Sequence, residues 1–301
     1  MPSEHGRPTV VGNRPPRPDT ADLPVALCVR VDVSGLSHPG KVRSCNEDHF
    51  LVIRIGRYLE KVVTSLPASE IEDRTEEVGY AMILADGMGG HAGGERASRM
   101  AITGLVKLAL ARPDWIFRLD ETVAADARQR SRKRFRDLNT LLLNEGQQDR
   151  DLHGMGTTLT AVRNLGRRVQ IVHVGDSRAY LLRKDSLHRL TRDHTYLQLL
   201  LDSGQLSQEE AADFPMRHML VNALGGFNED VEVDVDQVEI GNGDRILMCS
   251  DGLTDMVDDE AIRRVLVETH ESEDACRRLL DLALAGGGKD NVTVVVASYT
   301  F

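Results

Sequence analysis

From Ala26 onward, short runs in which apolar and polar residues alternate are separated by polar turns, and between them lie longer stretches with apolar residues three and four apart. The first pattern has the period of a strand, the second that of an amphipathic helix. Strands are predicted over 26–33, 49–55, 80–85, 159–163, 168–174, 178–183, 231–240, 245–249 and 291–298, most of them in hairpins. Helices are predicted over 94–110, 120–144, 195–204, 208–213, 258–269 and 272–285. Ser272, followed by Glu273 and Asp274, reads as a helix cap with acids in the first turn, and Gly286, Gly287 and Gly288 stop that helix. Strands and helices come in blocks rather than in strict alternation, which favours an α+β layered fold with antiparallel sheets over a doubly wound one.

Composition adds limits. Residues 1–25 are rich in Pro, Arg and Gly with few large apolar side chains, too few to offset the entropy of ordering, so a flexible tail is expected ahead of one domain over 26–301. A net charge of -10, from 37 Lys and Arg against 47 Asp and Glu, argues against a general nucleic-acid or anionic-membrane binder. The first residues have no apolar signal segment and no run reaches the roughly 18 apolar residues of a membrane span, so a cytoplasmic protein is expected. Cys28, Cys45, Cys249 and Cys276 are far apart with no CxxC pair, which suggests reduced thiols rather than a zinc knuckle or a disulfide framework. The basic run Arg128, Arg130, Arg132, Lys133, Arg134 and Arg136 falls on a predicted helix, as a solvated face or as a dock for an acidic or phosphorylated partner.

The acid excess has a pattern of its own. Four apolar runs end or begin with an aspartate: Asp86 in AMILADGMGG, Asp176 in HVGDSRAY, Asp251 in RILMCSDGLTD and Asp290 in GGGKDNVTVVV. Each alone reads as a turn, but strand ends in a layered fold can bring four together. Asn46, Glu47 and Asp48 also precede a strand pattern, with Arg43 just upstream, either as a salt-bridge partner or as a planar fork that holds a phosphate. Converging carboxylates repel unless something binds them, and a divalent cation with oxygen ligands, Mg²⁺ or Mn²⁺, meets that need. The glycine after Asp86 lets a backbone carbonyl approach such an ion.

In content and in order, SHPGKVRSCNED, LADGMGGHAGGERAS, GMGTTLTAV, VHVGDSRAYLLR, LTRDHT, NALGG, LMCSDGLTDMV and GGGKDNVTVVVA resemble the metal-dependent protein phosphatases, the type 2C Ser/Thr phosphatases, and their bacterial branch in particular. The resemblance implies a four-layer αββα sandwich, two antiparallel sheets flanked by helices, with a centre of two Mn²⁺ or Mg²⁺ ions. It implies that Asp86 bridges both ions, that the Gly87 carbonyl completes one site, that Asp251 and Asp290 bind the other, and that Asp48 acts directly or through water. Glu47 would orient ligand waters, and Asp176 with Asp251 and Asp255 would form a third metal site. Arg43 would bind phosphate, and attack by water on phosphoserine or phosphothreonine would need no Cys or His nucleophile. Phosphorylated proteins are the implied substrates and a Ser/Thr kinase the implied counterpart. Met88 stands where some members carry a histidine, which leaves His91, three positions on, as the candidate general acid. Thr195–Gly226 resembles the family's mobile flap, with Asn222 where relatives often have Arg, and 54–79 reads as a solvated, acidic insertion. Alternative readings are a phosphoprotein-binding relative without turnover, and a phosphatase of the anti-sigma-factor regulatory type.

Overall fold

The structure, a computed structural model, describes residues 30–67, 69–111, 121–211 and 214–301. In chain order these form β1 (Arg30–His38), β2 (His49–Glu60), β3 (Arg74–Ala85) and the two-residue β4 (Gly87–Met88), then α1 (His91–Ala111) and α2 (Glu121–Gln148). Next come β5 (Gly156–Thr157), β6 (Leu159–Leu165), β7 (Arg168–Val174), β8 (Arg178–Arg183) and β9 (Ser186–Arg189), followed by α3 (Tyr196–Asp202) and α4 (Gln208–Ala211). The chain continues through β10 (Leu224–Gly225), β11 (Asp234–Glu239), β12 (Arg245–Cys249), α5 (Asp251–Thr254), α6 (Asp259–Glu268), α7 (Ser272–Ala285) and β13 (Val292–Thr300).

Two five-stranded sheets carry the fold, in the orders β1-β13-β12-β8-β9 and β11-β7-β6-β3-β2, and every strand pair is antiparallel. β13 shows why they stack. Successive side chains of a strand point to opposite faces, and along VTVVVASYT the residues Val292, Val294 and Val296 enter a core shared with α5, α6 and α7, while Val295, Ala297 and Tyr299 enter a second core between the sheets. β3 divides likewise: Met82 and Leu84 face the other sheet, whereas Ile83 and Ala85 join Ala97, Ala101, Phe135 and Leu138 under α1 and α2. Three cores between four layers make the αββα sandwich. Each fully buried Val, Leu or Phe contributes roughly 1.5–3 kcal/mol of transfer free energy.

The pairings put the loops that matter at one end. His38 pairs with Val292, Cys249 with Arg178, His49 with Ala85 and Leu159 with Val174, so the turns holding residues 39–48, 86, 175–177, 250 and 286–291 all leave the same edge of the sandwich. A three-stranded ribbon, β10-β5-β4, lies there too.

Residues 54–79, expected as a solvated, acidic insertion, are mostly exposed and form the outer end of one hairpin: β2 and β3 pair without a break from His49↔Ala85 to Glu60↔Arg74, so only 61–73 lies between strands. Two expectations are corrected. Ser272 is the first residue of α7 rather than its cap; the cap position is Glu271, and the Ser272 hydroxyl donates to the carbonyl of Asp32 at 2.9 Å, tying the helix to β1. The basic run wraps α2 instead of lining one solvated face, since Arg132 Nε donates to the Val233 carbonyl and Ser131 is buried. The 1–25 tail, Cys28 and the first residues of the predicted strand 26–33 lie outside the described residues, as do Ala212 and Asp213 of the predicted helix 208–213. Cys249 and Cys276 are buried free thiols, and Cys45 is free and half-buried.

Candidate functional site

Asp48 stands at the threshold of β2, 4% exposed. Its Oδ2 accepts hydrogen bonds from Ser250 Oγ and Thr293 Oγ1, each at 2.7 Å, while its Oδ1 is buried without a hydrogen-bond partner. Burial pushes this carboxyl up to about 6, against the pull of the two hydroxyls, which favour the charged form. Asp86 follows β3. Its N–H donates to Thr158 Oγ1 at 3.0 Å and its carbonyl accepts from Thr158 N–H at 2.9 Å and Thr157 Oγ1 at 2.8 Å, so the backbone is fixed and the carboxylate is left for the cleft. Burial, then the charges of Asp48, Asp251, Asp176 and Asp290, hold the Asp86 carboxyl well above the usual range.

Gly87 is squeezed where β4 passes the first turn of α1: a Cβ there would overlap the Gly94 carbonyl and lie 2.8 Å from that of Glu47. Asp176, buried after β7, is pushed up to about 7, by burial first and then by Asp193. Asp251 opens α5, and burial with Asp176 and Asp255 raises it well above the ordinary value. The cap of that helix, Ser250, makes no side-chain capping bond because its hydroxyl serves Asp48. Asp255, at the other end of α5, is raised by burial.

Asp290, between α7 and β13, accepts from Arg43 Nη2 at 2.7 Å. The Arg43 side chain is 59% exposed and its guanidinium is held charged, first by that hydrogen bond. Asn291 stitches the 39–47 loop in place: Nδ2 donates to the carbonyls of Pro39 and Cys45, and Oδ1 accepts the Glu47 N–H at 2.8 Å. The Glu47 carboxylate lies over Gly94, where a Cβ would displace it, and accepts from the Cys45 thiol at 3.7 Å.

Arg43, Glu47, Asp86, Gly87, Asp176, Asp251 and Asp290 therefore line one cleft of about 500 Å³, with Asp48 beneath it, bonded to Ser250 and Thr293. A second cavity of about 460 Å³, between α1, α2 and the sheet of β2 and β3, is lined by apolar residues such as Ile83, Leu105 and Phe135 and holds no carboxylate. The chemistry belongs to the first. His91 opens α1, and its side chain lies outside the described residues.

Six participants escaped the sequence reading: Thr157, Thr158, Ser250, Asn291, Thr293 and His218. His218 comes from the segment between α4 and β10, its Nδ1 3.5 Å from Asp255 Oδ2, and it offers a ligand atom that lies within 4.8 Å of one each from Asp251 and Asp255. Ser250 adjoins Asp251 and Asn291 adjoins Asp290 in the sequence, but adjacency alone does not mark a side chain as a brace.

The donor set fits hard divalent cations. It is almost all oxygen, it contains a buried carboxylate oxygen with nothing to accept from, and burial, then the neighbouring carboxylates, holds Asp86 and Asp251 above their ordinary pKa, the state that positive charge relieves.

Comparison with known proteins gives the same answer. The profile of the family described as Protein phosphatase 2C matches residues 72–285. The chain is 42% identical over 243 residues to the serine/threonine protein phosphatase PstP of Mycobacterium tuberculosis, a match covering 80% of this chain and 44% of that protein. It is 36% identical over 215 residues to the serine/threonine phosphatase stp of Listeria welshimeri, covering 71% of this chain and 82% of the relative. Among solved structures, the catalytic domain of the serine/threonine protein phosphatase PstP in complex with two manganese ions superposes with a TM-score of 0.69 at 37% identity, over 91% of this chain and all of that one. The chain belongs to the protein phosphatase 2C family. It spans less than half the length of the Mycobacterium relative.

Proposed function

We propose that this protein is a metal-dependent phosphatase that removes phosphate from phosphoserine and phosphothreonine in other proteins. The observation that carries the reading is the convergence of Asp48, Asp86, Asp251 and Asp290 at one end of the sandwich, with one buried oxygen of Asp48 left without a hydrogen bond.

Asp86, the Gly87 carbonyl, Asp251 and Asp290 are the residues to hold two Mn²⁺ or Mg²⁺ ions, with Asp48 behind them and Glu47 beside them. Asp176, Asp251 and Asp255, with His218 from the flap, suit a third. Bound there, such ions supply Lewis acidity at phosphorus and lower the pKa of water. The protein's own groups do the rest. Arg43 presents its planar fork at the cleft mouth, where Asp290 now occupies one edge, and offers the phosphate oxygens two parallel donors. Thr157, Thr158 and Asn291 fix the loops so that the carboxylates do not reorganise when substrate arrives. Among the described residues no thiol serves as nucleophile: burial pushes Cys249 and Cys276 up to about 12, and Cys45 is also raised, so all three stay protonated. His91 is the candidate proton donor to the leaving serine or threonine oxygen.

In this reading residues 26–301 form the catalytic unit, with 1–25 as a tail, and a Ser/Thr kinase provides the phosphoproteins that it consumes. Phosphate release from a phosphothreonine peptide, with Mn²⁺, with EDTA, and with Asp86→Asn, tests it. Release that needs both Mn²⁺ and Asp86 is expected. No release by folded protein with Mn²⁺ on several peptides would replace the enzyme by a phosphoprotein-binding protein.

A further inference from the structure

β4, β5 and β10 form a small ribbon with β5 in the middle: Thr157 pairs with Gly87 on one side and Leu224 on the other, and Gly156 with Met88 and Gly225. One edge of the ribbon is therefore in the metal cleft, and the other leads, two residues later, to Phe227. Strands in a sheet lie about 4.8 Å apart, so Gly225 is about 10 Å from Met88.

Gly156 and Gly225 are buried, with the Met88 methyl over Gly156, and the strip left open beside the ribbon is made by Gly89, Gly90 and Gly226. Gly89 rests on the Gly154–Met155 backbone, where a Cβ would come to 3.0 Å from Met155 Cα, and Gly226 N–H donates to the Met155 carbonyl at 2.7 Å. Met155 itself turns into the core. A Cβ at Gly90 or at Gly226 would meet nothing within 4 Å. At the far end stands Phe227, 78% exposed, with its ring centroid 5.5 Å from that of His153 and its edge against Gly154, where a Cβ would lie 2.9 Å from the ring. A phenylalanine this exposed contributes little to the core, and aromatic side chains carry much of the energetics of interfaces.

We propose that Phe227 is a specificity contact for the substrate, receiving an apolar or aromatic side chain of the phosphoprotein while its backbone crosses the glycine surface from the cleft. The inference rests on the phosphatase reading and deepens it. An extended chain advances about 3.3 Å per residue, which puts the favoured side chain about three to five residues from the phosphorylated one. The substrates it selects are extended phosphorylated segments with a large apolar residue at that spacing.

The test compares kcat/KM for phosphothreonine peptides carrying Phe or Ser at each position three to five residues to either side, using the full chain, Phe227→Ala and Phe227→Tyr, with p-nitrophenyl phosphate as a substrate too small to reach residue 227. Wild-type protein is expected to favour Phe at one of those positions at least fivefold, through KM. Phe227→Ala should erase the preference with kcat for p-nitrophenyl phosphate unchanged, and Phe227→Tyr should keep it. An indifferent wild type overturns the proposal, as does a Phe227→Ala protein that keeps the preference or loses activity equally on every substrate. Equilibrium binding of the same peptides separates the two readings. Discrimination in binding without turnover of any substrate sinks the phosphatase reading and keeps this one, whereas turnover without discrimination sinks this one alone.

Discussion

Asp48 satisfies two opposed demands with its two oxygens: one is tied to Ser250 and Thr293, the other is buried with no hydrogen to accept. Ser250 is doubly committed, since its Oγ also accepts the Thr293 N–H at 3.0 Å. Ser250→Ala therefore leaves a buried N–H and a carboxylate oxygen short of a partner, and should destabilise the protein by about 1–3 kcal/mol in urea titrations. Asp251→Asn works the other way on stability. It removes one of the carboxylates that repel each other, so the melting temperature of the metal-free protein should hold or rise while phosphate release falls at least 100-fold. A joint fall of both quantities would show that Asp251 is structural. The aspartates were legible in the sequence because each sits at the end of an apolar run. Their supports were not: Ser250 and Thr293 reach Asp48 from more than 200 residues away, and nothing local marks a serine or an asparagine as a brace.

Among the elements, those with a clean period were found close to their true bounds, β7, β8, β12 and α7 above all. The outer ends of β2 and β3, GRYLE and RTEEVG, were missed because they carry no alternation of core-facing apolar residues; they are strands by pairing with each other, not by facing a core. The ribbon of two-residue strands is too short to leave any period, although it positions Gly87. Gly87→Ala would drive a methyl into the Gly94 carbonyl, and overpacking of this kind costs about 1–3 kcal/mol; a lower melting temperature together with weaker Mn²⁺ binding in calorimetry is the expected result. β7 also carries a pH response. His173 is buried against Thr160, the Arg192 carbonyl and His194, with Asp193 and Asp234 nearby, and burial first, then His194, lowers its pKa to about 4. The folded protein keeps this ring neutral while the unfolded chain protonates it below about 6.5. Its contribution is thus whole above pH 6.5 and is lost as pH falls towards 4, by about 3 kcal/mol in all. Urea midpoints measured from pH 7.5 to 4.5 should fall more steeply for the wild type than for His173→Gln.

At the scale of the molecule, the raised carboxylates impose the opposite slope. Asp48 at about 6 and Asp176 at about 7 keep their protons longer folded than unfolded, so in metal-free protein their contribution is fully present below about pH 4 and is lost as pH rises through 7. A divalent cation that neutralises the cluster should restore stability at pH 7.5. Melting curves are expected to rise with Mn²⁺, fall back with EDTA, and move far less in Asp86→Asn. The layered class was readable from blocks of alternating pattern, and the end of the sandwich that gathers the aspartates followed from the motifs; the strand order was not readable, because neighbours in a sheet need not be neighbours in the chain. β13 makes the point. It pairs with β1 along nine residues and also with β12, feeds two of the three cores, and begins two residues after Asp290. During synthesis, then, β1 waits for a partner that is translated some 250 residues later. A nascent or prematurely terminated chain that stops short of Val292 has an open sheet where that strand belongs and a half-built cleft beside it, so chemistry at this site begins only when translation has passed β13.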